Sequence, residues 1–134
     1  CGLPVWVGLS CKLDSAGTPR LYDSDQTIGK QTLADAIYAL KDRQVSLISI
    51  MHTEVSYINS CLDVVEEIWS GPVGVYAHSG DYIGGQWIFN SVISPADYAV
   101  AAEGWHSRGV RVIGGCCGIG PTHIHTLIKK IGRS

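Results

Sequence analysis

Apolar positions along this chain repeat one pattern four times: a short apolar run, a turn-rich loop, then apolar residues at helical spacing. The first run, residues 3–11, is continuous enough to predict a strand buried on both faces. Residues 12–31 are polar, carry Gly17, Pro19 and two aspartates near Tyr22, and have the composition of a long loop. Leu33, Ile37 and Leu40 then share one face of a helix predicted over 32–43, with Thr32 as its N-cap. A second strand is predicted over 45–51. Its helix carries Val55, Ile58, Leu62, Val65 and Trp69, and stops at Gly71-Pro72. The third strand, 73–77, leads into a Gly-rich loop over 78–93. Ser94 and Pro95 open the third helix as cap and first helical residue, with Tyr98, Ala101, Ala102 and Trp105 as its inner face. The fourth strand is predicted over 110–114. Its helix starts at Pro121, carries Ile124, Leu127, Ile128 and Ile131, places Lys129 and Lys130 at the negative end of the dipole, and stops at Gly132.

Four strand–helix units predict an α/β fold with a parallel sheet and right-handed crossovers, in one domain spanning 1–134. A doubly wound sheet is one solution. A TIM-type (β/α)8 barrel is another, but it takes about 250 residues, so four units make half of one. An isolated half exposes two sheet edges and one sheet face. It requires completion by a second copy, as a homodimer, or by a missing N-terminal half. The chain begins with Cys1 rather than Met, which suits processing or a piece of a longer chain.

Composition narrows the class. The hydrophobic fraction is 46% and the charged fraction 16%, which excludes general disorder. Ten basic and twelve acidic residues leave a formal charge of -2. No basic surplus drives counterion release, so no nucleic-acid partner is expected. No apolar run reaches the roughly 18 residues of a membrane span, so no membrane partner is expected either. No secretory signal opens the chain, and five cysteines, an odd number, do not suggest a disulfide framework. A reducing compartment, the cytoplasm, and a metal or thiol role are expected.

The chemistry concentrates at predicted strand ends, where open sheets and barrels place their sites. Gly114, Gly115, Cys116, Cys117 and Gly118 follow the fourth strand. The glycines let ligand and backbone approach, and two adjacent thiols on irregular backbone can share one zinc. Pro121 then starts a helix whose free N–H groups can hold an anion. A Gly-rich turn with two buried thiols is the plain alternative. His52 ends the second strand, on the mouth that the fourth strand also faces. His52, Cys116 and Cys117 would supply three ligands and leave a fourth position open, the pattern of a catalytic zinc; a hydrogen-bonded structural histidine is the alternative. His78, Ser79 and Asp81 end the third strand and can orient a polar substrate, with Gly115 beside them. His78 can also replace His52 as ligand, and an ordinary turn explains the same residues. Cys11 can face the mouth. Cys61 is expected in the core; His106, His123 and His125 at the surface; Trp87 and Trp105 in packing; and Glu66-Glu67 on a solvated helix face.

Over nearly its whole length the chain resembles the C-terminal half of the homocysteine S-methyltransferase family. Residues 114–118 followed by Pro121, Thr122, His123 and Ile124 resemble that family's last strand and helix. Residues 75–81 with Trp87 resemble its seventh unit, usually read as Val-Tyr-Pro-Asn-Ser/Ala-Gly, and residues 3–40 resemble its fifth. The resemblance implies a (β/α)8 barrel and a zinc held by three cysteines, two of which match Cys116 and Cys117. The third belongs to a Gly-x-Asn-Cys-Thr motif ending the sixth strand. Here that run reads Ser49 to Thr53, so His52 stands where cysteine is expected and Met51 where asparagine is; His78 likewise replaces an asparagine. The implied activity is methyl transfer to the thiol of homocysteine or a similar small thiol, giving methionine. The implied donors are sulfonium compounds or betaine, with methyl-folate in related methionine synthases. The His52 replacement raises the site charge by one. It leaves two alternatives open: a non-catalytic half-barrel that self-associates, and a vicinal-thiol redox site.

Overall fold

The computed structural model describes residues 2–23 and 27–132; Cys1 and Asp25 lie outside the described residues. Its main sheet has six strands. β1 is Trp6–Leu13, β2 Pro19–Tyr22, β3 Ile28–Thr32, β4 Leu47–Glu54, β5 Val73–His78, and β8 Val112–Ile113. Their order across the sheet is β3-β2-β1-β4-β5-β8. The pairs β1–β4, β4–β5 and β5–β8 are parallel, as the alternation of apolar runs and helices requires.

The segment read as a long loop departs from expectation. It holds β2 and β3, which extend the sheet antiparallel from β1, so the sheet is mixed rather than wholly parallel. Cys11, Lys12 and Leu13 pair with Leu21, Arg20 and Pro19, and Arg20 reaches back to Asp14 at 2.6 Å. Two such short strands, with little apolar periodicity, form because the end of β1 offers them an edge. The Gly-rich loop likewise holds a hairpin of β6, Asp81–Ile83, and β7, Gln86–Ile88, turning at Gly84-Gly85.

Helices α1 (Leu33–Lys41), α2 (Ile58–Ile68, entered by a 3-10 turn at Val55–Tyr57), α3 (Pro95–Ser107) and α4 (Pro121–Ile131) connect the parallel strands and close the chain. Thr32 caps α1 in a reciprocal box with Asp35, and Ser94 caps α3 ahead of Pro95. The helices bury Ile37, Leu62, Val65, Tyr98, Trp105 and Leu127 in one core with Cys11, Ile48, Ile50, Val75 and Ala77 of the sheet. Cys61 joins this core, as expected; Cys11 joins it too, instead of facing the mouth, because its place in β1 alternates with Ser10. Ile128 is 61% exposed, since α4 packs on α3 and has no neighbour beyond it among the described residues.

Among the described residues, helices cover only one sheet face. On the other, Gly8 leaves room for Met51 and Tyr76, whose hydroxyl donates to Met51 Sδ at 3.0 Å, and Gly74 sits against Ser49. β1 is therefore not buried on both sides, and Trp6 is 62% exposed. The parallel strands follow one another in chain order without the reversal that defines a doubly wound sheet.

Candidate metal and substrate site

His52 is aimed by a break in β4. Residues 48–51 pair in step with 73–76, but Glu54 pairs with His78, so β4 carries one extra residue between Met51 and Glu54. Such a bulge re-aims a side chain. His52 sits in it at φ 44°, the only positive φ of a non-glycine among the described residues. The Ser10 hydroxyl donates to its carbonyl at 2.8 Å, and Thr53 accepts from Cys11 N and donates to Met51 O. The side chain of His52 thereby points across β5, with Nδ1 3.4 Å from Cys116 Sγ.

The two cysteines follow β8, whose ladder continues beyond Ile113. Gly114 N donates to Val75 O, Cys116 N to Ala77 O, and Ser79 N to Cys117 O. The buried Tyr98 hydroxyl donates to Gly114 O at 2.6 Å. Gly118 turns the chain at φ 78°, where a Cβ would run into the Ser79 carbonyl. The two sulfurs lie 3.8 Å apart.

The ligand atoms of His52, Cys116 and Cys117 all lie within 4.8 Å of one another. With Zn–S near 2.3 Å and Zn–N near 2.0 Å, a tetrahedral zinc has S···S edges of about 3.8 Å and N···S edges of about 3.5 Å. The Sγ–Sγ separation of 3.8 Å and the His52–Cys116 separation of 3.4 Å match two of those edges, and the third lies within 4.8 Å. Burial lowers the pKa of His52, which favours the neutral ligand form, and burial with the neighbouring Cys116 raises that of Cys117. These three side chains form a donor set that could hold a metal ion.

Beside this cluster is a cavity of about 220 Å³ lined by Tyr22, Glu54, Tyr57, Asp81, Tyr82 and Trp87 together with His52 and His78. Trp87 stands edge-on to both imidazoles, 5.3 Å from His52 and 5.0 Å from His78, and stacks on Phe89 at 5.8 Å. His78 is 5% exposed. Its Nε2 is 3.4 Å from Glu54 Oε2, while Nδ1 has no partner among the described residues. Burial, and then the neighbouring His52, push its pKa down to about 4. Burial and Asp81 raise that of Glu54.

Of the residues singled out from sequence, the structure brings His52, Cys116 and Cys117 together, and places His78 and Asp81 on the cavity. Ser79 is buried with its hydroxyl accepting from Ile93 N, and Gly115 lies against Ile119 rather than on the cavity. His106 and His125 are exposed, as are Glu66 and Glu67. His123, expected at the surface, is buried, because it reaches back to Gly120 N and Ile93 O. Trp105 packs in the core, but Trp87 covers the site. Tyr22, Glu54 and Tyr57 were not anticipated. Glu54, two residues past His52 at the same strand end, had a readable signal; Tyr22 had none.

A model of the family described as homocysteine S-methyltransferase matches residues 1–131. Homocysteine S-methyltransferase YbgG of Bacillus subtilis is 31% identical over 125 residues, 92% of this chain and 36% of that protein. Homocysteine S-methyltransferase 2 of Zea mays is 24% identical over 98% of this chain and 37% of its own length. Selenocysteine Se-methyltransferase of Brassica oleracea is 28% identical over 66% of this chain and 26% of its own. The chain thus spans between about a quarter and just over a third of the length of the curated relatives it matches.

Proposed function

Given that the chain belongs to the homocysteine S-methyltransferase family, we propose that it carries the metal-binding part of an enzyme transferring a methyl group to the thiol of homocysteine or a similar small thiol, giving methionine. The observation that carries this reading is the convergence of His52, Cys116 and Cys117 within 4.8 Å, with the sulfur pair and the His52–Cys116 pair at tetrahedral zinc edges. Zinc bound there would act as a Lewis acid that keeps a substrate sulfur as thiolate at neutral pH. His52, Cys116 and Cys117 would hold it and leave a fourth position for that sulfur. A neutral imidazole with two thiolates balances the charge of the cation, so the substrate thiolate would bring the only net negative charge. Across the cavity, Tyr22, Tyr57, Tyr82 and Trp87 offer aromatic faces, and the carboxylates of Glu54 and Asp81 outnumber the single ammonium of Lys12. Such walls favour a cationic methyl donor of the sulfonium or betaine type. Trp87 covers His52 and limits water at the point of transfer.

The uncovered sheet face supports a half-barrel. The parallel strands run in unbroken chain order, and the face away from the helices carries Met51, Tyr76 and the exposed Trp6. In this reading that face closes on the other half of a (β/α)8 barrel, supplied by the rest of a longer chain or by a second copy. A cytoplasmic setting suits reduced thiols; no helix among the described residues is long and apolar enough to cross a membrane.

The test is zinc content of reduced, unchelated protein together with methionine formation from homocysteine and a sulfonium donor. About one zinc per site is expected, lost in Cys116→Ala and Cys117→Ala along with activity. Absence of zinc from the unaltered protein would sink the reading. Zinc-loaded dimer that makes no methionine would instead identify a non-catalytic relative.

A further inference from the structure

His123 occupies the third position of α4 and is 8% exposed, yet both ring nitrogens are engaged. Nδ1 accepts the Gly120 N–H at 3.1 Å, so Nε2 carries the proton and donates to Ile93 O at 2.8 Å. Ile93 is held a second time, because its N–H donates to Ser79 Oγ at 2.8 Å. Ser79 in turn donates its own N–H to Cys117 O at 3.0 Å. Ile93 lies on the return from the hairpin whose second strand places Trp87 against His52 and His78. A continuous path of hydrogen bonds therefore joins Cys117, Ser79, Ile93, His123 and Gly120.

We propose that His123 is a positioning residue that fastens the hairpin bearing Trp87 to the loop bearing Cys116 and Cys117. Capping α4 needs only the Nδ1 acceptor, as any capping-box residue at this position supplies. The Nε2 bond, to a residue thirty positions away, has no part in a cap. Its effect is to keep the indole and the two sulfurs in one fixed arrangement, since neither loop can shift without breaking a bond to the other. The consequence for metal binding rests on the reading above; the fastening itself does not.

The variants His123→Glu and His123→Gln separate the two roles. Both keep an acceptor for Gly120 N–H, but only Gln carries a donor for Ile93. In reduced, metal-free protein, alkylation of Cys116 and Cys117, resolved by peptide mass, and amide exchange over residues 86–93 would both rise about tenfold in the Glu variant. They would return toward the original rates in Gln. Zinc affinity by chelator competition would fall about 10–100-fold in Glu, the usual range for a residue supporting metal ligands. Alkylation and exchange unchanged in Glu would overturn the proposal, even if zinc still binds. Faster rates in a protein that binds no zinc would uphold the fastening and reject the metal reading. If the Glu variant does not fold, His123→Asp replaces it: its shorter carboxylate still accepts from Gly120 N–H, as Asp35 accepts from Thr32 N–H, but carries no donor for Ile93 O, and the same rates decide.

Discussion

Gly118 shows how narrow the tolerances at the site are. Its φ of 78° and the Ser79 carbonyl facing its Cα leave no place for a side chain. Gly118→Ala would lose about 1–2 kcal/mol from left-handed backbone alone, and the clash with Ser79 would displace Cys117 as well. A lower denaturation midpoint with weaker metal binding is the expected pair of readings. At His52 the donor type can be varied. His52→Cys keeps three ligands and adds a negative charge, so zinc should be retained; His52→Ala should weaken it at least tenfold in a chelator competition. Tyr98→Phe keeps the buried ring but strands the Gly114 carbonyl, which would cost about 1–3 kcal/mol. Among these residues the adjacent cysteines stood out in sequence as a Gly-flanked pair at a strand end, with a Gly-rich turn around two buried thiols as the equal alternative; the structure leaves both partly exposed and beside His52. His123 was not: nothing local distinguishes a histidine on the first turn of a helix from one that reaches back to another loop.

Among the elements, the helices were read best. Their apolar stripes and caps are local, and Thr32, Ser94 and Pro95 stand where the sequence placed them. The α1 cap also has a pH signature. Hydrogen bonds from the Thr32 side chain and backbone hold the Asp35 carboxyl below its ordinary range. A depressed folded pKa means that its contribution is present above the unfolded value and is lost as pH falls through the folded one. Amide protection at the start of α1 should therefore weaken on acidification, and Asp35→Asn should flatten that dependence. The strands were read less well. β2 and β3 are too short and polar to announce themselves, and they exist because β1 overhangs its parallel neighbours. The bulge in β4 left no trace in the composition of residues 51–54, although it is what turns His52 toward the sulfurs.

At the scale of the whole molecule, the main fact is the asymmetry of the sheet. Among the described residues one face carries every helix, and the other presents Met51, Tyr76 and the exposed Trp6 around Gly8 and Gly74. If this chain completes its own barrel, light scattering should find a compact dimer near twice 14.4 kDa. Trp6→Asp should shift that species toward monomer while leaving zinc binding intact. A monomer that is stable and free of aggregation would count against barrel completion by a second copy, since an open apolar face favours association.

Local patterning sufficed for the α/β class, the four helices, the parallel strands and the Gly-Cys-Cys-Gly element, because periodicity and capping depend on neighbours a few residues apart. Three-dimensional packing alone settled the antiparallel extension, the hairpin over the cavity, the bulge under His52 and the burial of His123. Each of these depends on hydrogen bonds between residues far apart in the chain, such as Ile93 with His123 and Ser10 with His52. Such bonds form only once the sheet has set the distances between its strand ends, and no stretch of sequence read alone contains those distances.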